Sequence, residues 1–298
     1  MLRQESIESN NFSFMSQQKY KKIYTLILKT AKTYDYSQNE IIQYDYSYDD
    51  DCIMKLKNTH NVELLRGETE TKTFINAINW VSVNLKSNKK PKGPMGDSVS
   101  IINEIKNGRY AANCYTYAVV LNDVLCALGY KCKYIFCYPI DFHPIDCHVV
   151  NLVYSNEKNK WILLDSANNV FYSDYQGNML DIEEMRNCLI NDVEINVNLL
   201  EIYDNLKHLN KTLIKQKILT YMIKNLYRFG CYRNSQMDRN TFCKSIDFYH
   251  LVPNTYMQTP YSLSEYSLEK KIKLTEHFVL NPHPFWATPM LRVGEKQV

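Results

Sequence analysis

The chain has 298 residues, of which 45% are hydrophobic and 22% are charged, and its formal net charge is +3. This composition is typical of a globular protein, and the small charge argues against a nucleic-acid partner. No apolar run reaches the roughly 18 residues of a membrane span, and the start lacks the apolar core of a secretory signal. We therefore expect a soluble, cytoplasmic protein without a membrane partner, whose nine cysteines are free thiols in a reducing compartment.

The first fifty residues carry no motif that indicates chemistry. Residues 1–18 are polar and predict a loose tail, 19–32 has the apolar spacing of a helix, and 43–51 predicts a loop or an edge strand. The sequence is accordingly divided into three segments. These are an N-terminal extension at 1–51, a catalytic core at 52–200, and a C-terminal extension at 201–298 packed on that core.

Helices precede strands through the middle of the chain. Apolar spacing predicts helices over 71–85 and 98–108, and a strongly apolar helix from Cys114 to Leu128 that stops at Gly129. Three segments with strand-like patterns follow. They are 133–138, 147–154 and 161–164, and a polar turn joins the last two into an antiparallel hairpin.

The last third of the chain combines helical patterns with irregular runs. Asp181 and Glu184 have the spacing of a capping box that opens a helix. A long amphipathic helix is predicted from Lys211 to Phe229, with Gly230 as its stop. The final segment, 239–298, is interrupted by prolines and predicts an irregular wrap over the core.

Three residues of the middle segment have the order and context of a catalytic triad. Cys114 begins a helix, and a helix N-terminus lowers the pKa of a thiol through its partial positive charge. His148 lies early in one strand of the hairpin and Asp165 ends the other, so the two side chains can meet across the sheet. We expect Cys114 to act as nucleophile, His148 as its base, and Asp165 as the acid that orients the imidazole.

Stabilisation of a developing oxyanion requires two hydrogen-bond donors. The backbone N–H of Cys114 is the first, because the first N–H groups of a helix have no partner within the helix. The sequence does not single out the second donor. Asn113 and Trp161 are both candidates.

A metal site and a cofactor are not expected. The cysteines and histidines that are close in sequence are Cys126, Cys132, Cys137, His143, Cys147 and His148. Only His143 with Cys147 or His148 comes near the ligand-pair spacing of structural zinc sites. Strand alternation also directs Cys147 and His148 to opposite faces of the sheet.

The motifs around the three residues resemble those of bacterial transglutaminase-like proteins, a family of the papain-like cysteine enzyme superfamily. They are Asn113-Cys114-x-x-x-Ala118, Leu128-Gly129-Tyr130, Cys147-His148-Val149-Val150-Asn151 and Trp161-Ile162-Leu163-Leu164-Asp165. The resemblance covers about 74–189, with weaker similarity as far as 253. It implies a papain-like α+β core, with the catalytic helix packed on an antiparallel sheet, and acyl-enzyme chemistry through a thioester. One departure is Asp165-Ser166, where many relatives have Asp-Pro, so the turn is expected to be less rigid.

The resemblance leaves the reaction open between transfer and hydrolysis. In the first, Cys114 takes an acyl group from a small-molecule or peptidyl donor, free or on a carrier protein, and an amine resolves the thioester into an amide. In the second, water is the acceptor and the protein is a peptidase or amidase. A binding module on an inactive enzyme fold is a third interpretation, which the intact triad disfavours.

Overall fold

Eight α-helices surround one large sheet in the computed structural model, which describes residues 14–37, 41–46, 51–86, 96–140, 147–203, 210–234, 245–256 and 273–289. Their bounds follow in chain order. They are α1 Phe14–Thr30, α2 Asp51–His60, α3 Glu70–Asn84, α4 Ser98–Lys106, α5 Cys114–Ala127, α6 Ile182–Ile190, α7 Lys211–Lys224 and α8 Pro282–Trp286. Two short 3₁₀ helices span Val62–Leu65 and Glu201–Tyr203.

The sheet has eight strands in the order β5-β4-β3-β2-β1-β6-β7-β8. They are β1 Cys132–Tyr138, β2 His148–Ser155, β3 Lys160–Asp165, β4 Val170–Ser173, β5 Asn196–Leu199, β6 Arg228–Tyr232, β7 Ser245–Leu251 and β8 Lys273–Val279. Every neighbouring pair is antiparallel except β7 and β8, which are parallel. The mixed helices and mainly antiparallel sheet make the fold α+β, as predicted.

Apolar layers cover both faces of the central strands. Helices α2 to α5 pack on one face, where Val149 and Val153 of β2 point. On the other face α7 packs on the sheet and is covered in turn by α1, and Val150 and Leu152 point there. Strands buried on both faces have nearly continuous apolar sequences rather than a clean alternation. This explains the runs that the sequence shows at β2 and β3.

The predicted elements around the three candidate residues are confirmed. Helix α5 begins at Cys114 and runs to Ala127, with Leu128 as its C-cap and Gly129 in the left-handed conformation at φ 88°. Strands β1, β2 and β3 lie within a residue of their predicted bounds. The capping box at Asp181 and Glu184 is also present.

Three expectations outside this region are wrong. Helix α7 ends at Lys224, and Phe229 and Gly230 belong to strand β6. The final segment contributes β7 and β8 to the sheet rather than an irregular wrap. Helix α1 begins at Phe14, within the predicted tail, while 1–13 lies outside the described residues. One sheet therefore includes strands from both the core and the C-terminal segments, and the division at 51 and 200 stays a prediction.

Candidate active site

Cys114 lies at the first position of α5. The N-cap residue Asn113 accepts hydrogen bonds from the N–H of Thr116 at 2.9 Å and from its hydroxyl at 2.8 Å. These contacts satisfy one of the free N–H groups of the first turn and fix where the helix begins. Cys114 is partly exposed as a residue, which places the start of α5 near the protein surface.

The start of β2 passes beside this helix end. Sγ of Cys114 lies 3.8 Å from the carbonyl oxygen of Cys147, and the N–H of Val149 also donates to the sulfur. One turn further along α5, Nδ2 of Asn151 donates to the carbonyl of Ala118 at 2.9 Å. Asn151 is fully buried, and its hydrogen bond holds β2 against the helix that carries the thiol.

His148 is the first residue of β2 and is fully buried. Its Nε2 lies 2.9 Å from Oδ2 of Asp165. Its Nδ1 is buried with no hydrogen-bond partner among the described residues, and the charge of the imidazole lowers the pKa of the nearby Cys114 thiol. The ring of Tyr221, on α7, packs edge-on against the imidazole with 5.2 Å between ring centroids.

Asp165 accepts hydrogen bonds from three residues and is fully buried. Oδ2 accepts from His148, from Nδ2 of Asn168 at 2.9 Å and from the hydroxyl of Tyr172 at 3.0 Å. Oδ1 accepts from the backbone N–H of Asn168 at 3.1 Å. The turn after β3 is therefore closed by Asn168 on the carboxylate itself, although the proline of many relatives is absent.

Burial and neighbouring groups shift the pKa in opposite directions at each of the three residues. Burial raises the pKa of the Cys114 thiol, but the interaction with the positively charged His148 outweighs burial and lowers the pKa. Burial lowers the pKa of His148, but Asp165 and Cys114 together raise it to about 9. Burial raises the pKa of Asp165, and the charge of His148 with the hydrogen bonds of Asn168 lowers it. These directions favour a thiolate–imidazolium pair beside an ionised carboxylate at neutral pH.

The structure brings the three predicted triad residues together and separates Trp161 from them. The expectation for Trp161 is wrong, because its indole N–H donates to the carbonyls of Trp286 and Ala287 at 3.1 and 3.3 Å, within the apolar layer on the face opposite α5. Asn113 has a defined role as N-cap, while its donation to an oxyanion stays a prediction.

Three contributors were missed from the sequence: Asn168, Tyr172 and Tyr221. Asn168 follows Asp165 by three residues, a spacing at which a side chain and a turn commonly bond, so that contact had a local signal. Tyr172 and Tyr221 had none, because their proximity to the site depends on how β4 and α7 pack.

Within the part of the chain that the structure describes, no three His, Cys, Asp or Glu side chains are placed to bind a metal ion. His143, one of the six cysteines and histidines that are close in sequence, lies outside the described residues. None of the described helices combines the length and the apolar character needed to cross a membrane.

Part of the chain is similar to a known family. Residues 59–166, just over a third of the chain, match the model of the Transglutaminase-like superfamily, and this stretch contains all three candidate residues. No curated protein matches the chain.

Two solved structures are similar to parts of the fold. One is a proposed cysteine protease from Cytophaga hutchinsonii, with 14% identity and a TM-score of 0.31 over 50% of each chain, so this chain spans only about half of that protein. The other is LapG of Legionella pneumophila, with 14% identity and a TM-score of 0.27, covering 67% of this chain and 97% of that one. Neither likeness supports a functional inference.

Proposed function

We propose that this protein is a cysteine-dependent acyltransferase, which forms an amide from an acyl donor and an amine through a thioester on Cys114. The observation that carries the proposal is the proximity of Cys114, His148 and Asp165 at the N-terminus of a buried helix. Sγ of Cys114 lies 3.8 Å from the carbonyl oxygen of the residue before His148, and Nε2 of His148 lies 2.9 Å from Asp165. The superfamily match over these residues is consistent with cysteine-based catalysis.

In the first half-reaction the thiolate of Cys114 attacks the carbonyl carbon of the donor, and the carbonyl π electrons move to oxygen. The tetrahedral intermediate then collapses, and the bond to the leaving group, a thiol or an amine, breaks. The leaving group takes the proton that His148 received from the thiol. Asp165 stays ionised throughout and stabilises the imidazolium.

In the second half-reaction the nitrogen of the acceptor amine attacks the thioester carbon and gives its proton to His148. Collapse of this intermediate breaks the carbon–sulfur bond and returns Cys114 as a thiolate. In both steps the charge on oxygen is stabilised by the free backbone N–H of Cys114, since the N–H groups of the first helical turn have no intrahelical acceptor. Asn113, which is exposed beside this N–H, is our candidate for the second donor.

Our preference for an amine over water as acceptor rests on the resemblance of the motifs, because the same three residues would serve both acceptors. We infer that this resemblance extends to amide synthases of thiol-templated peptide assembly, such as that of closthioamide. We therefore propose a thioester donor, free or on a carrier protein, and cytoplasmic action, where thiols stay reduced.

The test is to incubate the protein with small acyl thioesters, with and without a diamine, and to identify products by mass spectrometry. The variant Cys114→Ala should give no product, while Cys188→Ala, which removes another partly exposed thiol, should behave as the unaltered protein. Amide that requires both Cys114 and the diamine would support transfer. Free acid that the diamine does not divert would instead make the protein a hydrolase, the alternative reaction.

A further inference from the structure

A row of aromatic side chains leads from the nucleophile to strand β6. Tyr115, next to Cys114, stacks on Phe136 with 5.9 Å between ring centroids, and Phe136 stacks on Tyr138 at 6.3 Å. The guanidinium of Arg228 lies over the Tyr138 ring, 4.0 Å from its centroid. This row lies on the sheet face where α5 begins.

The register of the strands places Arg228 at the same end of the sheet as the candidate site. Cys137 is opposite His148 on β2, and the next residue, Tyr138, is opposite Arg228 on β6. Adjacent strands are about 4.8 Å apart, so two spacings put the Arg228 backbone about 10 Å from the start of β2, where the thiol lies.

Among the described residues, Arg228 has no oxygen acceptor of the kind that the other arginines have. Its Nε is buried, and this part of the chain offers neither a hydrogen-bond partner for Nε nor a carboxylate that pairs with the guanidinium. Glu276, an acid on the same face, is bonded to His250 at 2.9 Å. The other described arginines all have oxygen partners. These are Arg66, Arg109, Arg186 and Arg233.

An unsatisfied charged donor is costly to bury and is expected to be paired. A guanidinium matches carboxylate and phosphate oxygens through paired N–H groups, and stacking on an aromatic ring fixes its plane in advance. We propose that Arg228 binds an anionic group, a carboxylate or a phosphate, of the acyl donor while the donor carbonyl lies at Cys114. This inference rests on the proposed function and specifies its substrate as anionic several bonds away from the reacting carbonyl.

The experiment uses a thiol reagent, so that its outcome does not depend on the reaction catalysed. Rates of Cys114 labelling are measured with 6-maleimidohexanoic acid and with its methyl ester, and labelling absent from Cys114→Ala identifies the site. In the unaltered protein the acid-to-ester rate ratio should exceed that of free cysteine. Arg228→Gln should lower this ratio about tenfold, the effect of one charge-assisted hydrogen bond, with the ester rate unchanged.

Matched variants make the outcome decisive. Arg233→Gln removes an arginine that follows the same strand but contacts Gln43 and Asp247, and it should leave the ratio unchanged. Arg228→Lys keeps the charge and should retain part of the preference, which provides a second variant if Arg228→Gln does not fold. An unchanged ratio in folded Arg228→Gln would overturn the anion site.

The thioester assay separates this proposal from the proposed function. A donor with a terminal carboxylate, such as a glutaryl thioester, should lose turnover in Arg228→Gln while a valeryl thioester does not. Arg228-dependent labelling without Cys114-dependent turnover of any thioester would overturn acyl transfer and leave the anion site supported. Turnover that is equal for both donors in every variant would overturn Arg228 as a donor-binding residue.

Discussion

Two histidine–carboxylate pairs in this sheet have the same separation, but the pKa of the histidine is shifted in opposite directions. Nε2 of His148 lies 2.9 Å from Asp165 at the β2–β3 end, and Nε2 of His250 lies 2.9 Å from Glu276 at the β7–β8 edge. Both imidazoles are buried. Yet the pKa of His148 is raised to about 9, whereas the pKa of His250 is lowered.

The difference lies in the other neighbours of each ring. Burial lowers the pKa of both imidazoles. At His250 the positive charge of Arg228 lowers the pKa further, so the carboxylate of Glu276 does not restore it to the ordinary value. At His148 the second neighbour is the Cys114 thiol, which raises the pKa further beyond the effect of Asp165. A histidine beside a carboxylate is therefore not by itself a catalytic base, and the additional neighbour decides its charge.

The largest expected effect is the loss of turnover when His148, but not His250, is replaced by alanine. His148→Ala should lower Cys114-dependent turnover of a neutral thioester by ~10⁴-fold, because the thiol loses both its base and the charge that lowers its pKa. His250→Ala should stay within about threefold of the unaltered protein, since the two sites share no partner. Steady-state kinetics on both variants checks this, and equal losses would contradict our assignment of the base.

Removing the charge of Asp165 should also lower turnover much more than removing the charge of Glu276, though by somewhat less than the loss of His148. Asp165→Asn should lower turnover by ~10³–10⁴-fold, as in other triads, because the imidazolium loses its stabilising charge. Glu276→Gln should change the turnover of a neutral thioester little. Thermal unfolding of each variant serves as the control, and a folded Asp165→Asn protein with full turnover would exclude the triad.

A smaller effect is expected from the hydrogen bonds that Asp165 receives. Tyr172→Phe removes a buried hydroxyl that donates to this carboxylate, and a hydrogen bond to a charged group contributes about 1.5–3 kcal/mol. Turnover should fall by about 10- to 100-fold, with KM little altered. Tyr154→Phe is the matched control, because that hydroxyl bonds Asn159 at the exposed β2–β3 turn, and a similar loss there would contradict the role of Tyr172.

The smallest effect is on the pH dependence of stability, and its sign differs between the two histidines. A histidine whose pKa is raised on folding stabilises the folded protein fully at a pH below the ordinary pKa of about 6.5. For His148 this stabilisation is lost as the pH rises through about 9. At His250 the pKa is lowered, so stability is lost as pH falls below the ordinary value. His148→Gln should thus flatten the alkaline side of a melting-temperature profile and His250→Gln the acidic side. Parallel profiles for both variants would refute this contrast.

Local patterns were sufficient for the part of the fold that holds the thiol. Helix α5 and strands β1 to β3 follow directly in the chain, and their caps, turns and apolar runs are local signals. The antiparallel hairpin also predicted that His148 and Asp165 meet. The register, with Asn151 opposite Leu164, makes them diagonal rather than directly opposite neighbours.

The parts of the fold and of the site that local patterns do not predict depend on contacts between distant parts of the chain. The apolar spacing of α7 continues through Phe229 and predicts one helix, because helical spacing cannot show where pairing with β1 begins. The parallel pairing of β7 with β8 carries no local signal. The expectation for Trp161 fails because the carbonyls that accept its indole N–H are more than a hundred residues away in sequence, in α8 and the residue after it.

The continuity of the sheet across β2, β1 and β6 has a consequence for how such a protein can diversify. The three candidate catalytic residues lie within 59–166, the stretch that matches the superfamily, whereas Arg228 and strands β6 to β8 lie beyond it. If Arg228 selects the donor, substitutions on the outer strands can redirect the enzyme to new substrates without altering the residues that make and break bonds. Hydrogen bonding through β1 would keep any such new recognition surface aligned with the same nucleophile.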